Sequence, residues 1–411
     1  MRIATSQIYS NSLSTMENQQ AQLLQVQQQV STGVSLSSPA DNPLGAAQAV
    51  QLSATSATLT QYASNQNTAL SSLQLEDSTL SSVTSTLQSI SQQIQSALNG
   101  SLNDSDRQAL AKQLQGERSQ LLTLANTTDG QGNYLFSGFK STAQVFTNLP
   151  GGGVQYNGDL GQRLVQVGGA RQIAVSDTGA AVFQSVSAVG SQAVAAGSSA
   201  NTGTGTISGV TVTDPAQATN GDSYSISFDQ GSNPLTYTVT DSTTKQPVAT
   251  SQPYTDGSAI NLGNGMNVTI SGTPAWNDTF SVTPATTQQN SSVFSTIDSV
   301  IAALQTPVNG SPSAGANLTN ALQAGLTAIG NSISNVVTIQ ASVGGREQEV
   351  KALQTVTSTN SLQVTSNLSD LTTTDMTAAI TQYTQLSNAL TASQKSFAAT
   401  QNLSLFQYIN P

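Results

Sequence analysis

The chain of 411 residues contains no cysteine and no histidine, and only 8% of its residues are charged. The two missing residue types exclude thiol nucleophiles, disulfide bonds, imidazole bases, and metal sites built on thiolate or imidazole ligands. The net charge of -10 opposes binding to nucleic acid and to anionic lipid. We therefore expect no catalytic residue, cofactor site or bound metal that depends on cysteine or histidine, and no nucleic-acid partner.

Long apolar runs are also missing from the sequence. No segment approaches the roughly 18 consecutive apolar residues that a membrane-spanning helix requires, so we expect no membrane partner. The opening residues MRIATSQIYSNSL carry Arg2 but lack the apolar core of a secretory signal peptide. An extracellular destination would therefore require another export route.

Apolar residues at heptad spacing occur near both ends of the chain. Glu17 is the only charged residue between Arg2 and Asp41, and Lys395 is the only one after Asp375. Heptads with uncharged flanks predict helices that form coiled coils and that do little to repel copies of themselves. We expect these heptad residues to form an assembly interface; they are Tyr9, Met16, Leu23, Val26, Val30, Met376, Tyr383, Leu390 and Phe397.

A longer helical pattern extends from about Pro43 to Leu98. Leu73, Leu80 and Leu87 repeat every seven residues along it, and at 1.5 Å per residue this helix would be roughly 80 Å long. Apolar residues between 350 and 371 supply a stripe that can pair with it. We therefore predict that this part forms a helical bundle within one chain.

The middle of the chain alternates apolar and polar residues, which predicts half-buried antiparallel strands. Its main block, 186–288, contains six aspartates and one lysine, so it carries a net charge of -5.

Residues 195–206, AAGSSANTGTGT, have the composition of a flexible linker. Gly151–Gly153 is typical of a hairpin tip. Trp276 is expected in the core, with sugar binding as the alternative.

The fold class predicted from these patterns is α+β. Long terminal α-helical coiled-coil or bundle domains, paired N- to C-terminus, bracket a β-hairpin region and an inserted, mostly β outer domain. Residues 1–42 and 372–411 form a terminal coiled-coil domain that is disordered in the monomer, because two lone helices bury little apolar surface. Residues 43–185 and 289–371 form the long-helix bundle with β-hairpins, and 186–288 form the outer domain.

Acidic residues supply the remaining candidate sites. Asp104-x-Asp106 could begin a calcium loop, but no third ligand follows, so helix capping is the better interpretation. Glu76–Asp77 and Glu347/Glu349 could be the carboxylate pair of a hydrolase. Adjacent residues on a helix do not face one another, and Arg346 beside the second pair indicates a solvated charge cluster.

Three stretches resemble the bacterial flagellin family: MRIATSQIYSNSL together with QVSTGVSLSSPADNPLGAAQAVQL near the N-terminus, LQGERSQLLTLANTTDGQGNYLFSGFKSTAQVF at 114–146, and LSDLTTTDMTAAITQYTQLSNALTASQKSFAATQNLSLFQYI at the C-terminus. The resemblance covers about 1–185 and 290–411. The run Gly132–Gly138, with Pro39 and Pro43, is more similar to the subunits at the junction of hook and filament than to the filament subunit.

The resemblance implies a structural subunit without enzymatic activity, exported unfolded through the flagellum's own type III channel to the extracellular flagellum. It implies that copies form a ring or tube, assemble on the first hook-associated protein and support polymerisation of flagellin. It also implies an export chaperone that shields the C-terminal helix, where Tyr383, Leu390 and Phe397 form a stripe.

Three alternative functions stay open at this stage. The first is filament flagellin itself, which belongs to the same structural class. The second is a surface adhesin or glycan-binding module, with 186–288 as the binding domain. The third is an exported hydrolase, although no two acidic residues in the sequence are convincingly placed for it.

Overall fold

The computed structural model describes residues 2–40, 42–187, 191–214, 221–263, 265–285 and 292–402. The helices are α1 (Arg2–Thr32), α2 (Pro43–Ala97), α3 (Asp104–Ala125), α4 (Val293–Gln305), α5 (Pro312–Thr372) and α6 (Met376–Asn402), with a π-helical turn at Ala180–Gln184. The strands are β1 (Phe146–Asn148), β2 (Val154–Tyr156), β3 (Leu164–Gln166), β4 (Gln172–Ala174), β5 (Val194–Gly197), β6 (Thr206–Ile207), β7 (Thr211–Val212), β8 (Tyr224–Phe228), β9 (Thr236–Asp241), β10 (Gln246–Pro253), β11 (Ala259–Asn261), β12 (Met266–Ser271) and β13 (Thr279–Thr283). The prediction of helical ends and a sheet-rich middle is confirmed.

The chain forms two compact units. The terminal unit comprises Met1–Ser64 and Leu353–Pro411, and the central unit comprises Asn65–Ala352. The domain boundaries predicted from the sequence stay predictions, and the one at 288/289 lies outside the described residues.

The core of the central unit's helical part is built from heptad residues. On α2, the predicted seam is buried at Leu73, Leu80, Leu87 and Ile94. A second heptad on α5 is buried as well, and it comprises Leu322, Ile329, Val336, Val343 and Val350. Burial of one apolar stripe per helix is what stabilises helices of this length, since their intrinsic propensity alone is weak.

The helix α3 begins with a reciprocal cap. The Asn103 side chain accepts a hydrogen bond from the Asp106 N–H at 2.9 Å, and the Asp106 carboxylate accepts one from the Asn103 N–H at 3.3 Å. Asp104 forms an ion pair with Arg107 and accepts the Val308 N–H at 3.1 Å. The capping interpretation of this acidic motif is therefore confirmed.

Short strands and aromatic rings pack beside the helical part. β1 pairs with β2 antiparallel, and the connecting loop contains Gly151, Gly152 and Gly153, all with positive φ. Asp298 of α4 accepts the Gly153 N–H at 2.7 Å, which ties this loop to the bundle. Behind it the rings of Phe146 and Phe294 lie 5.6 Å apart and extend into a cluster with Phe136, Tyr156 and Phe183.

The sheet-rich part contains a five-stranded sheet, ordered β10-β9-β8-β13-β5, and a four-stranded sheet in which β12 pairs with β6, β7 and β11. Both sheets contribute to one hydrophobic core. Ile226 and Phe280 come from the first sheet, and Val268 and Ile270 from the second. The predicted alternation of apolar and polar residues along these strands is confirmed, because the inward positions of β8 and β12 are the buried ones.

The expectation of a flexible linker at 195–206 is wrong. Val194–Gly197 is the strand β5, paired antiparallel with β13. Beyond it, buried Asp278 accepts the N–H groups of Thr202 and Gly203 at 2.8 and 3.0 Å, and Asn201 bonds to Thr279. A low-complexity composition does not reveal this order, because the partners that fix the backbone lie more than 70 residues away along the chain.

The expectation that Trp276 lies in the core is also wrong. Its side chain is 54% exposed. The neighbouring Asn277 has φ +66°, and Asp278 turns its carboxylate back to the Ala275 N–H at 2.9 Å. The tight turn between β12 and β13 therefore places the indole outside the core, which Phe280 already fills.

Asparagine side chains on α5 hold the backbone of neighbouring segments. Buried Asn320 accepts the Ile207 N–H at 2.9 Å and donates to the Gly205 carbonyl at 3.0 Å. Asn331 makes the same pair of bonds with the N–H and carbonyl of Gln192, at 2.7 and 2.8 Å. Each amide side chain thus forms the two backbone hydrogen bonds that a residue of a neighbouring strand would otherwise form. Two further asparagines, Asn317 and Asn335, donate to carbonyls of 199–201 and 181–182.

Replacing Asn320 with alanine is expected to lower the free energy of unfolding by about 2 kcal/mol, because two buried backbone groups lose their partners. Hydrogen exchange at the Ile207 amide should accelerate more than exchange elsewhere in β6 and β12. Asn317→Ala is the matched control, because the Asn317 side chain only donates hydrogen bonds, to the carbonyls of Ser199 and Asn201. Equal destabilisation by both variants would contradict the role of Asn320 as the partner of these two backbone groups.

Candidate assembly interface

The helices α1 and α6 pack along each other within the terminal unit. The ring of Tyr9 meets the ring of Phe397 edge-on, with centroids 5.6 Å apart and planes at 89°. Val26 is 4% exposed, which makes it the most buried of the predicted heptad residues. The two stripes predicted from opposite ends of the sequence are therefore adjacent in the structure.

The remaining predicted interface residues are less enclosed. Met16, Leu23 and Val30 on α1 and Tyr383 and Leu390 on α6 are half-buried. Met376, at the start of α6, is 41% exposed. The helix pair thus covers one side of each stripe, and the assembly role assigned to these residues stays a prediction.

Backbone hydrogen bonds join the ends of the two terminal segments. Gly33, with φ +71°, ends α1, and its carbonyl accepts the Thr374 N–H at 2.9 Å. The Ser35 N–H donates to the Thr372 carbonyl at 2.8 Å. A residue other than glycine at position 33 would be strained in this left-handed conformation. These bonds fix the position of α1 relative to the start of α6.

Three strongly exposed apolar residues lie on these helices that the heptad analysis does not name. Leu13 and Leu24 on α1 are 50% and 58% exposed, and Ile380 on α6 is 50% exposed. Ile380 lies four residues after Met376, so the two share a face. A second apolar stripe was therefore detectable, by asking which apolar residues the first seam leaves out.

The terminal unit has almost no core of its own. Among the side chains that the structure describes there, Val26 and Ala379 are the only buried apolar ones. The central unit, in contrast, buries apolar side chains on every one of its helices. Since burying a leucine contributes about 2 kcal/mol, the exposed leucines of this unit are candidates for contacts with other chains.

The acidic candidates are placed differently from a hydrolase site. Glu76 is fully buried and accepts the Asp177 N–H at 2.8 Å, whereas Asp77 accepts a bond from Gln340. Burial raises the pKa of Glu76 to about 7, the carboxylate of Asp177 adds to the shift, and the Asp177 N–H, Arg346 and Arg163 oppose it. The two neighbouring carboxylates therefore point to different partners.

The charge cluster on α5 is only partly solvated. Glu349 pairs with Arg171 and Glu347 with Lys351, both at exposed positions. The prediction that Arg346 is solvated is wrong, because it forms an ion pair with Asp177 and donates to the Ala174 carbonyl at 2.9 Å. Across the described residues, no cluster of three acidic side chains could hold a metal ion, and no helix is apolar enough to cross a membrane.

Comparison with known proteins gives matches along the whole chain. The family model of the bacterial flagellin N-terminal helical region matches residues 3–141, and that of the flagellar hook-associated protein 1 D2-like domain matches 196–284. Flagellar hook-associated protein 3 of Salmonella typhimurium is 30% identical over 407 residues, which is 99% of both chains. The protein of the same name from Escherichia coli matches equally, at 30% over 99% of both chains.

Solved structures agree with the sequence matches. The crystal structure of FlgL from Xanthomonas campestris is 30% identical, with a TM-score of 0.67, over 76% of this chain and 98% of that one. The flagellar junction protein FlgL from Legionella pneumophila is 29% identical, with a TM-score of 0.68, over 79% and 100%. The resemblance inferred from the terminal motifs is thereby confirmed: this chain belongs to the flagellar hook-associated protein 3 family.

Proposed function

We propose that this chain is a structural subunit of the bacterial flagellum that joins the hook to the filament. Copies assemble as a ring or short tube on the first hook-associated protein and present a surface on which flagellin polymerises. The observation that carries the proposal is the terminal unit, where Leu13, Leu24 and Ile380 are exposed and, of the apolar side chains that the structure describes, only Val26 and Ala379 are buried. Such a unit gains stability by packing against neighbouring subunits.

The terminal helices are the proposed coiled-coil layer of the assembly. Within one copy α1 and α6 pair through Tyr9 and Phe397, and the apolar residues left outside this pair contact the neighbouring copies. Because the isolated helix pair buries so little, we propose that 1–42 and 372–411 are disordered in the monomer and become ordered on assembly.

The route to this position is also part of the proposal. The chain leaves the cell through the flagellum's own type III channel and remains extracellular as a part of the flagellum. A dedicated export chaperone covers the C-terminal helix before export, and Met376 and Ile380 supply exposed apolar side chains for that contact. No reaction is assigned to the protein, which acts as an adaptor between two assemblies.

A deletion strain tests the junction role. Without this protein, cells are expected to keep the hook, to lack a filament and to release flagellin monomers into the medium; the wild-type chain supplied in trans should restore filaments. Filaments of full length in the deletion strain would contradict the role. The whole-length relatives named hook-associated protein 3 favour it over filament flagellin, an adhesin or a hydrolase.

A further inference from the structure

An exposed apolar surface lies in the central unit, outside the terminal helices. Phe139 is 67% exposed, Leu160 78% and Leu164 56%. Leu160 and Leu164 line one shallow depression, and a Cβ atom at Gly161, next to Leu160, would overlap the Phe139 ring. The three exposed side chains therefore lie in one region of the surface, and we call Phe139, Leu160 and Leu164 the hairpin patch.

The backbone that presents this patch is held in place by one carboxylate. Asp159 Oδ1 accepts the Phe139 N–H at 3.0 Å and the Gly161 N–H at 2.8 Å. These two bonds lower the pKa of Asp159, so it stays ionised at neutral pH. The Tyr156 hydroxyl donates to the Asp159 carbonyl at 2.7 Å. The loop at Phe139 is thereby joined to the loop at Leu160.

A glycine completes this arrangement. Gly138 has φ +70°, and a Cβ atom there would clash with the Asp159 carboxylate. Gly138 ends the run Gly132–Gly138, which is more similar to junction subunits than to the filament subunit, and Phe139 directly follows it. Holding exposed apolar side chains on a rigid backbone adds nothing to the stability of a monomer. It does lower the entropy cost of binding, as in the anchors of protein interfaces.

The terminal unit offers a groove of matching chemistry. The groove lies between α2 and α5 and has a volume of about 530 Å³. Three apolar residues (Ala47, Leu52 and Leu371), three amide residues (Gln48, Gln51 and Asn367) and one charged residue, Asp370, line it. A phenylalanine side chain buries 150–250 Å² in such a site, about the largest contribution one residue makes to an interface.

A lysine beside the patch and an aspartate at the groove could form an ion pair. Lys140 directly follows Phe139 and is exposed, and Asp370 is exposed at the groove. A single surface ion pair contributes little affinity, but it orients an encounter and disfavours the reversed one. A contact between two different surfaces of identical chains is heterologous, and repetition of it generates a closed ring or a helix. That is the symmetry a polymerising subunit needs.

We propose that the hairpin patch of one copy docks into the groove of a second copy of this chain, with Phe139 as the anchor and Lys140 opposite Asp370. This contact rests on the proposed function, because it requires that copies assemble. It adds a second interface to the one formed by the terminal helices, and it assigns a partner to the motif around Phe139.

Cross-linking tests the pairing directly, since the natural chain contains no cysteine. A chain with Lys140→Cys and a chain with Asp370→Cys are expressed together, and assembled flagella are treated with a short bis-maleimide. The expected product is a dimer that joins the two variants. Lys112→Cys, exposed on α3, replaces Lys140→Cys as the matched control and should give at least tenfold less of it. Equal yields, or cross-links from position 140 only to other flagellar proteins, would overturn the proposal.

A side-chain truncation supplies the second measurement. Phe139→Ser is expected to leave the melting temperature of the purified chain unchanged, because the ring is 67% exposed, and to reduce the copies incorporated per flagellum at least tenfold. Trp276→Ser, at 54% exposure, is the control and should incorporate normally. Normal incorporation of Phe139→Ser would overturn this contact alone, whereas failure of the wild-type chain to restore filaments would overturn the junction role itself.

Discussion

Replacing Leu24 with aspartate is expected to abolish assembly and swimming while leaving the unfolding of the purified chain almost unchanged. Leu24 is 58% exposed on α1, so the monomer loses little when it is removed. In the proposed assembly another copy covers this position, where a carboxylate without a partner is strongly unfavourable. Every copy carries the substitution, so the penalty recurs at each contact.

The expected size follows from the loss at one contact. Removing a leucine from a buried interface costs about 2 kcal/mol, a factor of roughly 30 in the association constant. Burying the carboxylate adds several kcal/mol more. Two measurements check this: the thermal unfolding of the purified chain, and filament restoration in the deletion strain.

The matched control is Gln22→Asp, two residues away on the same helix. Gln22 is exposed, and the substitution introduces the same charge and the same helix propensity. We expect filaments to form with this variant, because its polar face does not belong to an apolar stripe. Full swimming with Leu24→Asp, or equal loss with both variants, would show that α1 does not contact other copies through this face.

Substitutions of Tyr9 and Phe397, which contact each other within one copy, should have a different effect. Tyr9→Ala and Phe397→Ala each remove one ring of an edge-to-face contact within one copy. An aromatic pair contributes about 1 kcal/mol beyond the area that it buries. In the assembled state, where both helices are ordered, each single variant should lose this pair energy and the double variant should lose no more of it. This non-additivity would show that the two rings form one contact.

Periodicity was sufficient to predict the helical parts of this fold. The predicted helix from about Pro43 to Leu98 agrees with α2, and the seam from Leu73 to Ile94 is buried. The motif Asp104-x-Asp106 was interpreted as part of a helix cap, and Asp106 forms the cap of α3 together with Asn103. These features depend on neighbours within a few residues along the chain, which a sequence displays directly.

Features that depend on distant partners were not predictable. Arg346 was expected in solvent because its neighbours on α5 are charged, yet Asp177, distant along the chain, draws it inward. Residues 195–206 were expected to be flexible because nothing near them in the sequence shows that Asp278 binds their backbone.

The position of the partner stripe on α5 could have been predicted better from the sequence. The buried series on α5 from Leu322 to Val350 repeats every seven residues, as the series on α2 does. The expected partner stripe was placed further along, between Val350 and Leu371, where Val356 and Leu362 are 55% and 71% exposed. Applying the same period to the preceding 30 residues would have located the bundle core correctly.

Replacing Glu76 with glutamine is expected to stabilise the chain at neutral and alkaline pH. Burial raises the pKa of this carboxyl from 4.5 to about 7 in the folded chain. Oε1 accepts the Asp177 N–H, and Oε2 is buried with no hydrogen-bond partner. Glutamine keeps the acceptor and cannot ionise, so it removes the cost of placing a charge there.

The direction of the pH dependence follows from proton binding. Between the unfolded value of 4.5 and the folded value of about 7, the folded chain holds a proton on Glu76 that the unfolded chain has released. Stability contributed by this group therefore falls as pH rises through that window and is low above it. The difference between the two pKa values corresponds to about 3 kcal/mol at full ionisation.

Urea unfolding of the wild-type chain and of Glu76→Gln, at about pH 5 and about pH 8, measures the effect. The variant should gain about 3 kcal/mol over the wild type at the higher pH and little at the lower.

Glu349→Gln is the control of opposite sign, because the hydrogen bond with Arg171 lowers the pKa of Glu349. That carboxylate stabilises the fold above its unfolded pKa, so its loss should weaken the chain slightly at about pH 8. A Glu76→Gln chain less stable than the wild type at about pH 8 would mean that the ionised carboxylate, held by Arg346 and Arg163, stabilises the bundle after all.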